Sequence, residues 1–391
     1  MAVFLPSRYR RQLPDIANNE TEEILSEIIA EVESVYGQAY MELRKKSEEY
    51  FQWFVVEDAS KRRQFENGAI DAEEYKRWRQ GKLLTGMHWY AMSETIAQDL
   101  ANSNGIAYSI INDYIPEVYA INGNWATYQI EHQTRINTSF ELFDEQTIER
   151  LIRDKPNLLP KASVNVPLDM RWNKQNLTSA VMQSIIQGER VEQLAERLAS
   201  VTDMNQSSAI RNAKTMTTSA QNGGRQASYE RAETIGIKGN KTWVATLDGH
   251  TRAEHRALDG ETVGIHETFS NDLMFPGDPD GDPASVYNCR CRMIETFPDQ
   301  DFSKFERSNR LGDMSYDEWK EAHGGEPLFK AARNVNRDYD MMREYKTLLG
   351  KRVPTNIKDF QNIKYNHPEE WKKMVSDARK ARNERRKKNG G

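Results

Sequence analysis

The period of the apolar pattern changes partway along this chain, and that change limits what it can fold into. As far as Gly224 the pattern is helical. Ile24, Ile28 and Val32 follow at a spacing of four after Asn19-Glu20-Thr21-Glu22, which has the form of a capping box. Between Tyr40 and Gln98 charged residues alternate with Phe51, Trp53, Phe54, Tyr75, Trp78, Trp89 and Tyr90, without proline, which predicts long helices joined by short turns. Val181 and Ile185, an interruption at Gly188, and then Val191, Leu194, Ala195 and Leu198 predict two further helices around a tight turn. Ala209, Ala213, Met216 and Ala220 make a small-residue stripe suited to close helix packing, expected to end near Gly223-Gly224. The stretch 102–167 is mixed: Asn-Gly at 104–105 and 122–123 and prolines at 116, 156, 160 and 167 mark turns, and no element is assigned there.

Beyond Gly224 the signals become those of strands and turns. Trp243-Val244-Ala245-Thr246-Leu247 is rich in strand formers and runs into Asp248-Gly249. Thr251-Arg252-Ala253-Glu254 reads as a capping box for a short helix stopping at Asp259-Gly260. Residues 276–283, Pro-Gly-Asp-Pro-Asp-Gly-Asp-Pro, form a loop, and Val286 to Ile294 reads as a second strand. The fold expected is mainly α, elongated and multi-part, with a small α+β unit near 236–297. The expected division is a helical region 1–167, a helical connector 168–235, the α+β core, a helical region 298–378 and a basic mobile tail 379–391.

Composition narrows the function classes. Hydrophobic residues are 38%, charged residues 29% and the mean hydropathy is −0.82, which is poor in apolar content for a large globular enzyme and implies much solvated or partner-facing surface. No apolar run approaches the length of a membrane span. The short apolar start followed by Arg8, Arg10 and Arg11 reverses the order of a secretory signal, so residence in a cytosol is expected. The net charge of −5 conceals a tail in which residues 372–391 carry +7, most of it on Arg379, Lys380, Arg382, Arg385, Arg386, Lys387 and Lys388. Such a run reads either as a solvated face or as a non-specific nucleic-acid contact.

Cys289 and Cys291, the chain's two cysteines, cannot staple distant segments. In a strand they would share a face with Tyr287 and Met293, opposite Asn288, Arg290 and Arg292. The reading adopted is a reduced, buried pair without a cofactor. The alternative is zinc, with His255 as third ligand and Asp248 or His250 as fourth. A Cys-His or Asp-His catalytic pair can be drawn, but no third group or oxyanion element accompanies it, so a structural His255 is preferred. Arg290 and Arg292 are expected to pair with Asp248 or Asp278, or to meet a partner's acidic or phosphate groups. Asp278, Asp280 and Asp282 do not keep the spacing of a calcium loop. The helix pair at 177–200 has too many glutamates to be a DNA reader.

The series Trp243, Asp248, Arg252, His255, Leu258, Gly260, Phe269, Pro276-Gly277-Asp278-Pro279 and Asn288-Cys289-Arg290-Cys291 resembles the signature block of the phage Mu F-like head morphogenesis family. Arg171-Trp172-Asn173, Gln187-Gly188-Glu189 and Ala220-Gln221-Asn222 upstream, and Tyr316-Asp317-Glu318-Trp319 and Phe360-Gln361-Asn362-Ile363-Lys364-Tyr365 downstream, are similar to minor capsid proteins of tailed phages. The resemblance implies a low-copy, non-enzymatic protein of the head interior, assembled in the host cytoplasm near the portal. Its partners would be the portal protein, the major capsid or scaffolding protein and, through the tail, phage DNA without sequence preference. The competing expectation is a zinc-dependent hydrolase or nuclease centred on His255, Cys289 and Cys291.

Overall fold

The structure, a computed structural model, describes residues 3–4, 14–85, 87–298, 301–325, 329 and 335–389. It is mainly α with a small α+β unit. After a two-residue strand, Val3–Phe4 (β1), the chain enters Ile16–Glu66 (α1), whose 51 residues span about 75 Å at 1.5 Å per residue. Helix α1 begins one turn ahead of the predicted capping box, because Asp15 accepts the N–H of Asn18. Ala72–Leu84 (α2), Met87–Thr134 (α3), Glu145–Asp154 (α4), Val166–Gln187 (α5), Val191–Ala199 (α6) and Val201–Thr234 (α7) follow. Gly188 ends α5 in the left-handed conformation at φ 65°, the tight turn expected from its place between two apolar stripes.

Helices from both sides of residue 167 share their cores. Ile28, Val32 and Tyr36 of α1 pack with Ile111 and Val118 of α3 and with Ala209, Ala213 and Ala220 of α7. A second cluster joins Phe51 and Phe54 of α1 to Leu100 of α3, Val181 of α5 and Leu194 and Leu198 of α6.

Four of the turn readings are overturned. Helix α3 runs unbroken through Asn104-Gly105, Pro116 and Asn122-Gly123. Helix α7 passes through Gly223-Gly224 without stopping. Tertiary packing overrides propensity here, because Gly123 and Gly224 lie where α3 and α7 cross. A Cβ on Gly224 would lie 2.2 Å from the Tyr119 carbonyl oxygen of α3, and one on Gly123 would lie 2.6 Å from the Phe143 ring. The lost donor of Pro116 is tolerated between Ile115 and Val118, both fully buried.

The α+β unit contains Asn240–Val244 (β2), Ala253–Ala257 (α8), Glu261–Gly264 (β3), Pro283–Val286 (α9) and Arg292–Thr296 (β4). The strands form one antiparallel sheet in the order β1-β3-β2-β4, with Thr242 opposite Thr262 on one side and Ile294 on the other. Strand β3 was not foreseen. The strand expected from Val286 to Ile294 begins only at Arg292: residues 283–286 make a helical turn with Pro283 at its start, and Asn288 takes φ 61°, which breaks an extended run. The predicted capping box at 251–254 is also absent, since the Thr251 hydroxyl donates to Asp248 and Arg252 caps no backbone N–H.

Asn309–Asp313 (α10) and Tyr316–Ala322 (α11) then return to the helical body, where Trp319 is buried and its indole N–H donates to Glu131 at 2.7 Å. Val335–Leu349 (α12), Ile357–Asn366 (α13) and Pro368–Asn389 (α14) close around their own cluster of Met342, Tyr345, Leu349, Phe360 and Ala378. The basic run continues as helix to Asn389. Arg379 and Lys380 are exposed and Arg382 pairs with Glu344, while the side chains of Arg385, Arg386, Lys387 and Lys388 lie outside the described residues.

Candidate functional site

The α+β unit is clamped along one face of α7, by Asn222 of the Ala220-Gln221-Asn222 segment together with Thr218 and Thr215. Asn222, fully buried, donates to the carbonyls of Pro276 at 3.0 Å and Cys291 at 3.1 Å, and its side-chain oxygen accepts the Met293 N–H at 2.9 Å. Thr218 donates to the Cys289 carbonyl at 2.6 Å, and Thr215 accepts the Asn288 N–H at 2.9 Å. Gly277 explains itself at this contact: its φ is 80°, and a Cβ there would come within 2.9 Å of the Ser219 nitrogen of α7. The loop of aspartates is tied off internally, with Asp278 accepting the N–H groups of Met274 and Asp280.

Inside this clamp His255, Cys289 and Cys291 converge. The one ring nitrogen, Nδ1 of His255, lies 3.6 Å from each of the two sulfurs, and all three side chains are 2% exposed. Short helix α8 brings His255 in from one side, and the loop between α9 and β4 brings the cysteines in from the other. Trp243 of β2 forms the floor, edge-on to His255 at 5.3 Å and to Phe269 at 5.1 Å. Gly260, at φ 93°, lets the chain turn from α8 into β3 while its N–H donates to the Trp243 carbonyl at 2.8 Å. Both cysteines are buried, as expected. Their thiols are unequal: the hydrogen bond from Cys289, then that with His255, draws Cys291 down to about 5, whereas Cys291 and burial hold Cys289 well above the ordinary thiol range.

The structure does not bring Asp248 and His250 into this cluster. The Asp248 carboxylate is taken by Arg290 at 2.6 Å, and with the His250 backbone N–H this pair holds its carboxyl well below the usual range. His250 is exposed. Arg252 reaches the Tyr287 carbonyl, so it braces the cysteine loop from outside. Arg292 does not join Asp278 but pairs with Asp15 at 3.0 Å.

Sequence reasoning missed the ion pair beside the clamp. Arg225 of α7, 1% exposed, spends its donors on Asp15 at 2.8 and 3.0 Å, on Asn122 at 2.9 and 3.0 Å and on the Met293 carbonyl at 2.9 Å. It thereby ties together the start of α1, the middle of α3 and strand β4. Burial pushes the Asp15 carboxyl up, but Arg225 and Arg292 outweigh it and leave it below its ordinary value. Burial pushes the Glu295 carboxyl, beside Tyr229, up to about 8. A single arginine in a helical stripe gives no sequence signal of this kind. Arg225 lies one turn after Gln221-Asn222, on the side of α7 away from Ala209, Ala213 and Ala220.

Comparison with known proteins places this arrangement. Residues 175–294 match the family described as Phage Mu protein F like protein. Over 206 residues the chain is 27% identical to the minor head protein GP7 of Bacillus phage SPP1, which covers 51% of this chain and 66% of that one. Over 207 residues it is 29% identical to the NAD(+)--arginine ADP-ribosyltransferase EFV of Enterococcus faecalis (strain ATCC 700802 / V583), which covers 50% of this chain and 41% of that one. The chain thus spans less than two thirds of the length of each of these relatives. No solved structure matches it. The matched span runs from α5 into β4, so it takes in both the helix that clamps and the unit that is clamped, and it is this part of the chain that is similar to the Mu F-like family.

Proposed function

We propose that the chain acts in head morphogenesis as a low-copy component at or near the portal, meeting portal and capsid or scaffolding subunits through its long helices and packaged DNA through α14. The observation that carries this reading is that the family match coincides with one physical body, helices α5 to α7 with the α+β unit locked onto α7. Helix α1 and the other long helices add a rigid, polar frame of the kind an assembly component needs for contacts on several sides. Among the described residues no helix is long and apolar enough to cross a membrane. Coexpression with the portal subunit tests the reading: a stable complex is expected, and separate elution of the two proteins at assembly concentrations would count against portal attachment.

The helix α14 contact with DNA makes a separate prediction. If four phosphates are met by the basic run, the log of the affinity for random duplex DNA should fall with log salt at a slope near about −3.6, since each contact contributes about 0.9. Deleting residues 379–391 should remove most of that slope. Equal affinities and slopes for the full and shortened chains would eliminate this segment as the DNA contact.

The name of the Enterococcus relative raises an enzymatic reading. Against a reaction at His255, Cys289 and Cys291 stands their burial, which leaves no side chain of the three presented to a macromolecular substrate. An organising role for this cluster accords better with its position between the loop and α8.

A further inference from the structure

We propose that His255 Nδ1, Cys289 Sγ and Cys291 Sγ are three ligands of a structural Zn²⁺ ion that pins the cysteine loop to helix α8. This departs from the metal-free pair expected from sequence, and the reason is geometric. In a strand the two sulfurs would have stood on one face, and His255 entered as third ligand only in the alternative reading. In the fold, the loop curls so that both sulfurs face the same nitrogen, and the three ligand atoms all lie within 4.8 Å of one another.

The separations match coordination better than they match hydrogen bonding. With Zn–S near 2.3 Å and Zn–N near 2.0–2.1 Å, the S···N edge of a tetrahedral site is about 3.5–3.6 Å. Both observed S···N separations are 3.6 Å. A single nitrogen cannot be the hydrogen-bond partner of two thiols equally well, since its one lone pair accepts along one direction; a metal between the three atoms satisfies all of them at once. Thiolate and imidazole are also the donor set that borderline-soft, four-coordinate zinc prefers over harder cations.

The remaining atoms of the site fit the same reading. With Nδ1 on the metal, the ring proton sits on Nε2, which has no hydrogen-bond partner within the protein and lies 3.9 Å from the Glu254 carboxylate, where a small rotation of an exposed side chain would complete an outer hydrogen bond. Among the described residues no fourth His, Cys, Asp or Glu joins the three, so the fourth position would fall to water or to another oxygen or nitrogen ligand. Need is evident too. The core of this unit is small, built on Trp243, Ala245, Leu258, Phe269, Leu273 and Val286 besides the cysteines, and its strands are four or five residues long. Units of that size commonly rely on a metal staple, and coordination energy then adds directly to folding.

The inference is independent of where the chain sits in a head. It is tested on the full-length chain, purified without affinity metals or chelators, by elemental analysis and by replacement of the bound ion with Co²⁺. The expected result is about one zinc per chain, and a Co²⁺ form with thiolate charge-transfer absorption and the intense visible bands of a tetrahedral site. Cys291→Ser and His255→Ala should each lose most of the metal. If either variant fails to fold, the Co²⁺ spectrum of the unaltered chain still decides whether thiolates bind. A metal content near zero with no thiolate–cobalt band after reconstitution would overturn the proposal, and so would zinc retained in full by a Cys289→Ser, Cys291→Ser double variant.

Discussion

Arg225→Met should lower the unfolding free energy by about 3 kcal/mol, the lower end of what breaking a buried ion pair costs. Methionine fills similar space, so the loss isolates the guanidinium. Five hydrogen bonds go with it, to Asp15, Asn122 and the Met293 carbonyl. The lower end applies because Arg292, 3.0 Å from Asp15, still offsets that carboxylate. Urea unfolding followed by tryptophan fluorescence measures the effect, with Asp15→Asn and the double variant completing a cycle. A loss below about 1 kcal/mol would mean that Arg225 does not hold α1, α3 and β4 together, because buried charge-assisted hydrogen bonds exceed that value even singly.

A comparable loss is expected from a far smaller change at the crossing of α3 and α7. Gly224→Ala places a methyl 2.2 Å from the Tyr119 carbonyl oxygen and 3.1 Å from the Gly123 nitrogen, so two helix backbones must part. Overpacking costs about 1–3 kcal/mol when side chains can shift, and backbone cannot, so about 3 kcal/mol or more is expected. Gly223→Ala is the control. Its added methyl would sit 3.5 Å from the Tyr119 ring, in ordinary contact, and alanine improves a helix interior by about 0.5–1 kcal/mol. Neighbouring glycines should therefore respond oppositely to the same substitution, and equal responses in thermal melting would refute the crossing geometry.

These two sites mark where sequence reading stopped short. Amphipathic spacing was enough to find α1, α5 and α6, because each buries one stripe and exposes the rest. It failed in α3, where Asn-Gly pairs and Pro116 are strong local turn signals, yet Asn122 is needed to receive Arg225 and Gly123 to admit α7. Local propensity says nothing of a partner 100 residues away. The α+β unit was legible from its change of period; Asn222 stood in a recognisable block, but nothing in the sequence marked it as the clamp. The register within the unit was not, since the positive φ of Asn288 shifts β4 and turns an alternating face into a loop that gathers both cysteines on His255. Asp15, a helix cap by type, gave no hint that it also closes an ion pair 210 residues along the chain.

The proposed role in the phage head is tested directly by the composition of assembled particles. If the proposal holds, quantitative mass spectrometry of purified procapsids and DNA-filled heads assembled with this chain should find it in both or in procapsids alone, far below the major capsid subunit in copy number. Its absence from procapsids and heads alike would contradict the account.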